Sequence, residues 1–247
     1  MQQINVLSGS TNDEVQKRAG MLNLLKATPI PDGELLSNLG LYISRQTLSR
    51  ILFMQSLYSK IINIHGVVME FGVRWGQNLS LFSSFRGMYE PYNYNRKIIG
   101  FDTFSGFPSV DLKDGSKVQV GDYSVTSDYD VYLKELLNLD QAESPISHKK
   151  KFELVKGDAT KTVTQYLLDH LETIISLAYF DFDIYKPTYD CLTAIKPHLT
   201  KGSVIAFDEL NFGDFPGETL AFNEVFGINN YSIMRDPLVP LCSYVIF

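Results

Sequence analysis

An α/β fold built on a seven-stranded, mostly parallel sheet is the architecture this sequence predicts. Three features carry that reading. From residue 66 onward short apolar runs alternate with helical stretches, five successive runs end in or next to a carboxylate, and two further runs near the C-terminus read as antiparallel closing strands. Strands alternating with helices give a parallel sheet with right-handed crossovers.

Taken in order, residues 12–26 read as a short amphipathic helix and 27–33 as a loop broken by Pro29, Pro31 and Gly33. Over 41–62, Leu48, Ile51, Leu52, Leu57 and Ile61 recur at helical spacing. Residues 1–64 are therefore expected to form a helical cap on a core spanning 65–247, the two making one structural domain. Within the core, strands are expected at 67–71, 97–101, 152–155, 174–180, 204–207, 231–234 and 244–247. Helices are expected at 77–89, 131–139, 161–171, 187–199 and 218–226, Pro187 fitting a first helical turn. The stretch 106–122, rich in Gly, Pro, Ser and Asp, is a loop long enough to act as a lid.

At 247 residues and 45% hydrophobic content the chain can bury one substantial core. A net charge of −6 disfavours nucleic-acid binding, which needs a basic surface. Two cysteines, Cys191 and Cys242, make neither a disulfide framework nor a zinc cluster and read as buried apolar thiols. The first fifteen residues lack the basic and apolar regions of a signal peptide, and no apolar run approaches the ~20 residues of a membrane helix. No membrane association is expected, and the cytoplasm is the expected compartment.

In an open α/β sheet a ligand sits beyond the carboxyl ends of the strands. Glu70, Asp102, Asp158, Asp181 and Asp208 are thus expected to line one rim. In the first turn, Gly72 permits a tight bend and Gly76 a close approach of backbone to ligand. Arg74 breaks the dinucleotide glycine fingerprint, which disfavours a pyrophosphate cofactor. Asp102 is placed to accept hydrogen bonds from the two hydroxyls of a ribose. Asp158 is placed to meet an adenine amino group, or to cap the helix that starts near Ala159. Asp181 and Asp183, two apart on extended chain, face the same way. With Asp208 and Glu209, Asp181 makes the partial carboxylate shell of a Mg²⁺ ion; an acidic rim without metal is the other reading.

Three blocks resemble the macrocin O-methyltransferase family: Val68-Met69-Glu70-Phe71-Gly72-Val73, Gly100-Phe101-Asp102-Thr103-Phe104-Ser105-Gly106-Phe107-Pro108, and Asp181-Phe182-Asp183-Ile184-Tyr185 followed by Gly202 through Glu209. The resemblance covers roughly residues 66–210 and is most specific in the second block. It implies a Rossmann-like class I methyltransferase fold, S-adenosylmethionine and Mg²⁺ as cofactors, and a hydroxyl of a sugar or related natural product as acceptor. It also implies site roles. Glu70, Gly72 and Gly76 would border the methionine part of the cofactor, together with Asp181. Asp102, beside Thr103, would hold the ribose. Asp158 and Ala159 would lie near the adenine, and Asp181, Asp208 and Glu209 would bind the metal. The chain departs from the family in having Phe182, where a glycine is usual, and Glu209, where a second aspartate is usual.

Methyl transfer is an in-line displacement that needs an aligned and more anionic oxygen. Asp183 is the first candidate general base and His148 the second, while His65, His170 and His198 read as structural. Trp75, Tyr123, Phe182 and Tyr185 are aromatic candidates for an acceptor pocket. The expected function is a Mg²⁺-assisted, S-adenosylmethionine-dependent O-methyltransferase acting on a sugar, a related small molecule or a glycan, with homo-oligomerisation left open. Two other classes stay in view: a non-catalytic S-adenosylmethionine-binding partner protein and, less favoured, a nucleotide-dependent oxidoreductase.

Overall fold

The computed structural model describes residues 4–6 and 9–247. The leaderless reading of the first fifteen residues falls partly on 1–3, 7 and 8, which lie outside the described residues. Seven strands form one sheet: β1 (Val67–Phe71), β2 (Ile98–Asp102), β3 (Phe152–Lys156), β4 (Ile175–Phe180), β5 (Leu199–Phe207), β6 (Met234–Asp236) and β7 (Val239–Ile246). Their order is β3-β2-β1-β4-β5-β7-β6. The first five are parallel, and β7 runs antiparallel to both β5 and β6. β1 and β4 lie inside a sheet covered on both faces, which is why their burial does not alternate and only Glu70 and Ser176 interrupt their apolar runs.

Helices cover both faces. Five of them, α1 (Asn12–Lys26), α2 (Asp32–Leu35), α3 (Arg45–Ile61), α4 (Gln77–Tyr89) and α5 (Tyr129–Glu143), come before β3. On the sheet, Phe53, Leu57, Leu79, Phe82 and Leu133 of α3, α4 and α5 pack against Val68, Leu177 and Tyr179. The remaining helices, α6 (Ala159–Asp169), α7 (Tyr185–Ile195) and α8 (Gly217–Phe226), pack on the opposite face against Met69, Phe101 and Phe180. The cap helix α3 thus contributes to the core directly. The first helix does not: α1 has the expected bounds and a capping box between Thr11 and Glu14, yet it buries no residue. The helix expected there exists, but its apolar residues do not gather on one face and none is buried.

One row of side chains explains why acids gather at one end. Phe101, Phe71, Phe180 and Phe207 are register neighbours across β2, β1, β4 and β5. Their rings stack in turn at 5.4, 4.4 and 5.3 Å between centroids. This buried ladder levels the four strands at their last rung. The residues that follow, Asp102, Gly72, Asp181 and Asp208, therefore emerge side by side. No helix among the described residues is long and apolar enough to cross a membrane. Cys191 and Cys242 are both buried and unpaired.

Candidate active site

Strand order reverses between the parallel neighbours β1 and β4, which places a crevice at their carboxyl ends, where open α/β sheets bind ligands. A pocket of about 220 Å³ lies there, lined by Gly72, Asp102, Thr103, Asp158, Ala159, Asp181, Asp183, Asp208 and Glu209 among the expected site residues. The first residues past β1 and β4 nearly touch. Gly72 has φ +93°, and a Cβ there would stand 2.0 Å from the Asp181 carbonyl oxygen. Only glycine meets both demands.

Asp102 is held rigidly. Its Oδ2 accepts the Arg74 amide at 2.7 Å and its Oδ1 the Phe104 amide at 2.5 Å. Burial raises its pKa, and these backbone bonds oppose the rise. Two amides from two different loops thus aim one carboxylate into the pocket. Asp158 lines the pocket and also caps α6, accepting from the Thr160 amide at 3.0 Å. Both of its expected roles are geometrically open at once.

Asp181 and Asp183 both line the pocket, though not along an extended strand. The strand β4 stops at Phe180, and Asp183 has φ +62° with the Ile184 amide bonded to the Phe182 carbonyl at 2.7 Å. That is a γ-turn, a strained conformation of the kind held at functional sites. Burial first, and then neighbouring carboxylates, push Asp181 and Asp183 well above the ordinary aspartate range. Asp208 goes the other way. Burial raises it, but Arg50 at 2.7 Å and the Tyr179 hydroxyl at 2.7 Å prevail and hold it low. Burial and then Asp208 push Glu209 up to about 7, and its Oε2 has no hydrogen-bond partner.

Several expectations are corrected. Glu70 does not line the rim: it is fully buried beneath the pocket with both carboxylate oxygens unpartnered, and burial pushes its pKa well up. Gly76 faces helix α5, since a Cβ there would meet Leu133 at 2.5 Å. It serves helix packing rather than a ligand. His148 is exposed in the connection from α5 into β3, at the amino ends of the strands and so at the opposite edge of the sheet from the pocket. Of the four aromatics, Tyr123 and Phe182 line the pocket. Trp75 stands outside, edge-on to Tyr129 at 4.7 Å, and Tyr185 is buried with its hydroxyl on Glu224 at 2.7 Å.

Arg50 and Glu218 escaped sequence reading. Arg50 lies on the same helical stripe as buried Met54, Leu57 and Ile61, and a charge on an apolar stripe was the available signal. Glu218 of α8 is fully buried; its Oε1 accepts the Phe182 amide at 3.1 Å and its Oε2 is unpartnered. Residues 106–122 are pinned over the pocket. Asp114 accepts the Tyr185 amide at 2.6 Å, and Phe107 and Val118 pack with Ile184 and Phe215.

Buried acids with raised pKa values are better tolerated protonated, so the ligand-free protein should lose stability as pH rises. The Glu209 part is present below the ordinary glutamate range and disappears as pH passes about 7. Glu209→Gln should recover about 1–2 kcal/mol at pH 8, after allowance for solvent screening. Thermal melts of both proteins from pH 5 to pH 8 check this, and parallel curves would refute it.

No family model matches the chain, and no curated protein matches it. Among solved structures, the calicheamicin methyltransferase CalS11 is 39% identical, with a TM-score of 0.94, over 100% of this chain and 97% of that one. The chain belongs to the CalS11 family of S-adenosylmethionine-dependent O-methyltransferases. The apo structure of CalS11, described as a TDP-rhamnose 3′-O-methyltransferase, superposes on this methyltransferase with a TM-score of 0.87 at 38% identity, over 98% and 97% of the two chains. An O-methyltransferase from Bacillus cereus in complex with SAH shares the fold at 11% identity and a TM-score of 0.52, over 98% of this chain and 94% of that one. Membership in an enzyme family of this chemistry replaces both the oxidoreductase and the non-catalytic reading of the methyltransferase.

Proposed function

We propose that this methyltransferase transfers the methyl group of S-adenosylmethionine to a sugar hydroxyl, that its acceptor is a deoxysugar carried on a nucleoside diphosphate, and that Mg²⁺ assists. The carrying observation is the wall formed by Asp181, Asp183, Asp208 and Glu209, set in one pocket with the fixed carboxylate of Asp102. The acceptor class rests on the TDP-rhamnose named for CalS11 and agrees with the macrocin resemblance of residues 66–210. Residues 1–64 act as a cap on the 65–247 core, since Arg50 of α3 reaches into the pocket.

The donor set fits both cofactors. Asp102, beside Thr103, would take the two ribose hydroxyls, and Asp158 and Ala159 would border the adenine. Buried Glu70 has no hydrogen-bond partner for either oxygen and is pushed well up by burial; a cationic sulfonium and ammonium above it would favour its ionised form. For the metal, Glu209 Oε2 is orphaned, and no donor among the described residues bonds the Asp181 carboxylate. These are hard oxygen ligands of the kind Mg²⁺ takes. They do not converge as a finished cage: no group of three candidate ligands among the described residues meets at ligating distance. Asp208 is shared with Arg50. When bound, Mg²⁺ would supply positive charge that orients neighbouring hydroxyls and lowers their pKa.

The chain's own residues do the rest. Asp183 takes the proton of the attacking hydroxyl. Tyr123 and Phe182 pack against the apolar face of the sugar. The pinned 106–122 segment keeps water from the reacting atoms. The experiment is incubation with methyl-labelled S-adenosylmethionine and TDP-rhamnose, with label expected on a sugar hydroxyl. Binding of SAH without label on any nucleotide sugar tested would remove the acceptor reading. Mn²⁺ should bind in a spectroscopic titration, more weakly to Asp181→Asn, and chelation should stop turnover. A full rate in chelator, with no ion bound, would remove the metal.

A further inference from the structure

We propose that Arg74 is the anion subsite of the pocket, where it takes the diphosphate of the acceptor; the inference rests on the nucleoside-diphosphate acceptor argued above. Asp102, Asp158, Asp181, Asp183, Asp208 and Glu209 all line the pocket. A diphosphate entering there meets like charge unless a cation is within its reach. Among the described residues two cations line the pocket, Arg50 and Arg74. Arg50 is already committed: its guanidinium bonds Asp208 at 2.7 Å and the Tyr179 hydroxyl at 3.0 Å. Arg74 has no such partner.

The Arg74 guanidinium makes no hydrogen bond or ion pair among the described residues, and its Nε is buried without a partner. A buried donor left open is rare in a folded chain and asks for an explanation. What holds the side chain is stacking. It lies over the Tyr123 ring at 5.0 Å and the Trp75 ring at 5.9 Å. Aromatic faces fix a guanidinium and leave its N–H edge open for a bidentate bond to an oxyanion. The backbone is fixed as well. Arg74 has φ +48°, an uncommon region for a long side chain, and its amide is held by Asp102 at 2.7 Å. Strain of this kind clusters at ligand clamps. The residue that breaks the dinucleotide glycine fingerprint thus puts a fixed, unpaired cation into an acidic pocket.

The neighbours of Arg74 assign its ligand. Burial raises Asp102, Asp181 and Asp183, and the Arg74 charge is among the influences that oppose the rise. The guanidinium therefore stands within electrostatic reach of both the ribose carboxylate and the base. A sugar nucleotide carries its phosphates on the anomeric carbon of the same ring that bears the attacking hydroxyl. With that hydroxyl at Asp183 and the ring on Tyr123, the phosphates fall beside the Tyr123 ring, where Arg74 stacks. The methionine carboxylate of the cofactor is the other oxyanion of such a pocket, and the test separates the two.

The SAH-loaded chain is titrated calorimetrically with inorganic pyrophosphate and with TDP, without added metal, as wild type, Arg74→Met and Arg74→Lys. Wild type should bind both ligands. Arg74→Met should weaken both by about 10- to 100-fold, the range for a lost hydrogen bond to a charged group, with SAH affinity unchanged. Arg74→Lys should recover only part of the loss, since an ammonium keeps the charge and lacks the fork. In turnover the KM for TDP-rhamnose should rise by the same factor while kcat holds, a split that general damage to the site would not give. Wild type that binds no pyrophosphate, or Arg74→Met that binds it as well as wild type, overturns the subsite. Arg74→Met that loses SAH and keeps pyrophosphate assigns the cation to the methionine carboxylate and overturns it equally. Pyrophosphate binding that depends on Arg74, with no label on TDP-rhamnose, supports the subsite and removes the acceptor reading alone.

Discussion

Asp183→Asn should lower kcat for methyl transfer by about 10²–10⁴-fold, the range for removing a positioned general base, while leaving SAH affinity nearly unchanged. The substitution isolates the chemistry well. Asparagine has the same shape and tolerates the left-handed backbone that Asp183 adopts at φ +62°. What disappears is the ability to accept a proton. The direction of the pH dependence follows from the surroundings. Burial, then Asp181, Glu209 and Asp208, push Asp183 well above the ordinary aspartate range. The base form therefore fills only as pH rises, and the wild-type rate should climb with pH along an acid limb that Asp183→Asn lacks. A bound cation would move that limb downward by opposing the same repulsion. If Asp183→Asn keeps its rate within about threefold, where a positioned base is worth at least 10², the proton goes elsewhere and Asp183 is a shaping residue.

Much of this arrangement was legible because burial leaves a mark on composition. The strands β1 and β4 are covered on both faces, and their apolar runs sit between glycines and acids that gave their bounds to within a residue. The Phe71, Phe101, Phe180 and Phe207 ladder made each strand end look alike, so the acids after it were found together. Long-range pairing left no such mark. The strand β7 begins at Val239 rather than 244 because it pairs with β5 on one side and β6 on the other. The strand β5 begins at Leu199, five residues early: Leu199 pairs with Ile175, and residues 200–203 fall in a register shift before pairing with β4 resumes at Val204. The apolar residues of 12–26 suggested an amphipathic helix, but in α1 they are spread around the helix and none is buried. Arg50 meets Asp208 across 158 residues of sequence, and Phe182 meets Glu218 across 36. The pocket's polarity is set by such partners, which only the folded chain brings together.

At the opposite end of the sheet, Arg96→Ala should cost roughly 3–5 kcal/mol, the range for orphaning one member of a buried pair. Only 2% of the Arg96 side chain is exposed. It donates to the Gly66 carbonyl and the Ser176 hydroxyl at 2.6 Å, to the Ile64 and Ile61 carbonyls at 2.8 and 2.9 Å, and to Glu90 at 2.9 Å. One guanidinium thus ties the end of α3 to the entry of β1, the start of β4 and the end of α4. Truncation would leave carbonyls and a carboxylate buried without partners, which is the costly way to lose a hydrogen bond. Glu90 sits below the ordinary glutamate range because Arg96, Tyr58 and Asn93 outweigh the burial that raises it. Its share of the stability is therefore present above that range and is lost as pH falls through the lowered value. Arg96→Lys should recover little, since an ammonium cannot reproduce a planar fork that reaches four elements at once. For a chain of this size the loss corresponds to a melting temperature lower by roughly 10 °C, measurable by calorimetry. A melt within about 2 °C of wild type, under 1 kcal/mol on the same scale, would mean that water replaces the guanidinium. The cap helix would then owe its seat on the sheet to the packing of Phe53, Leu57 and Ile61 alone.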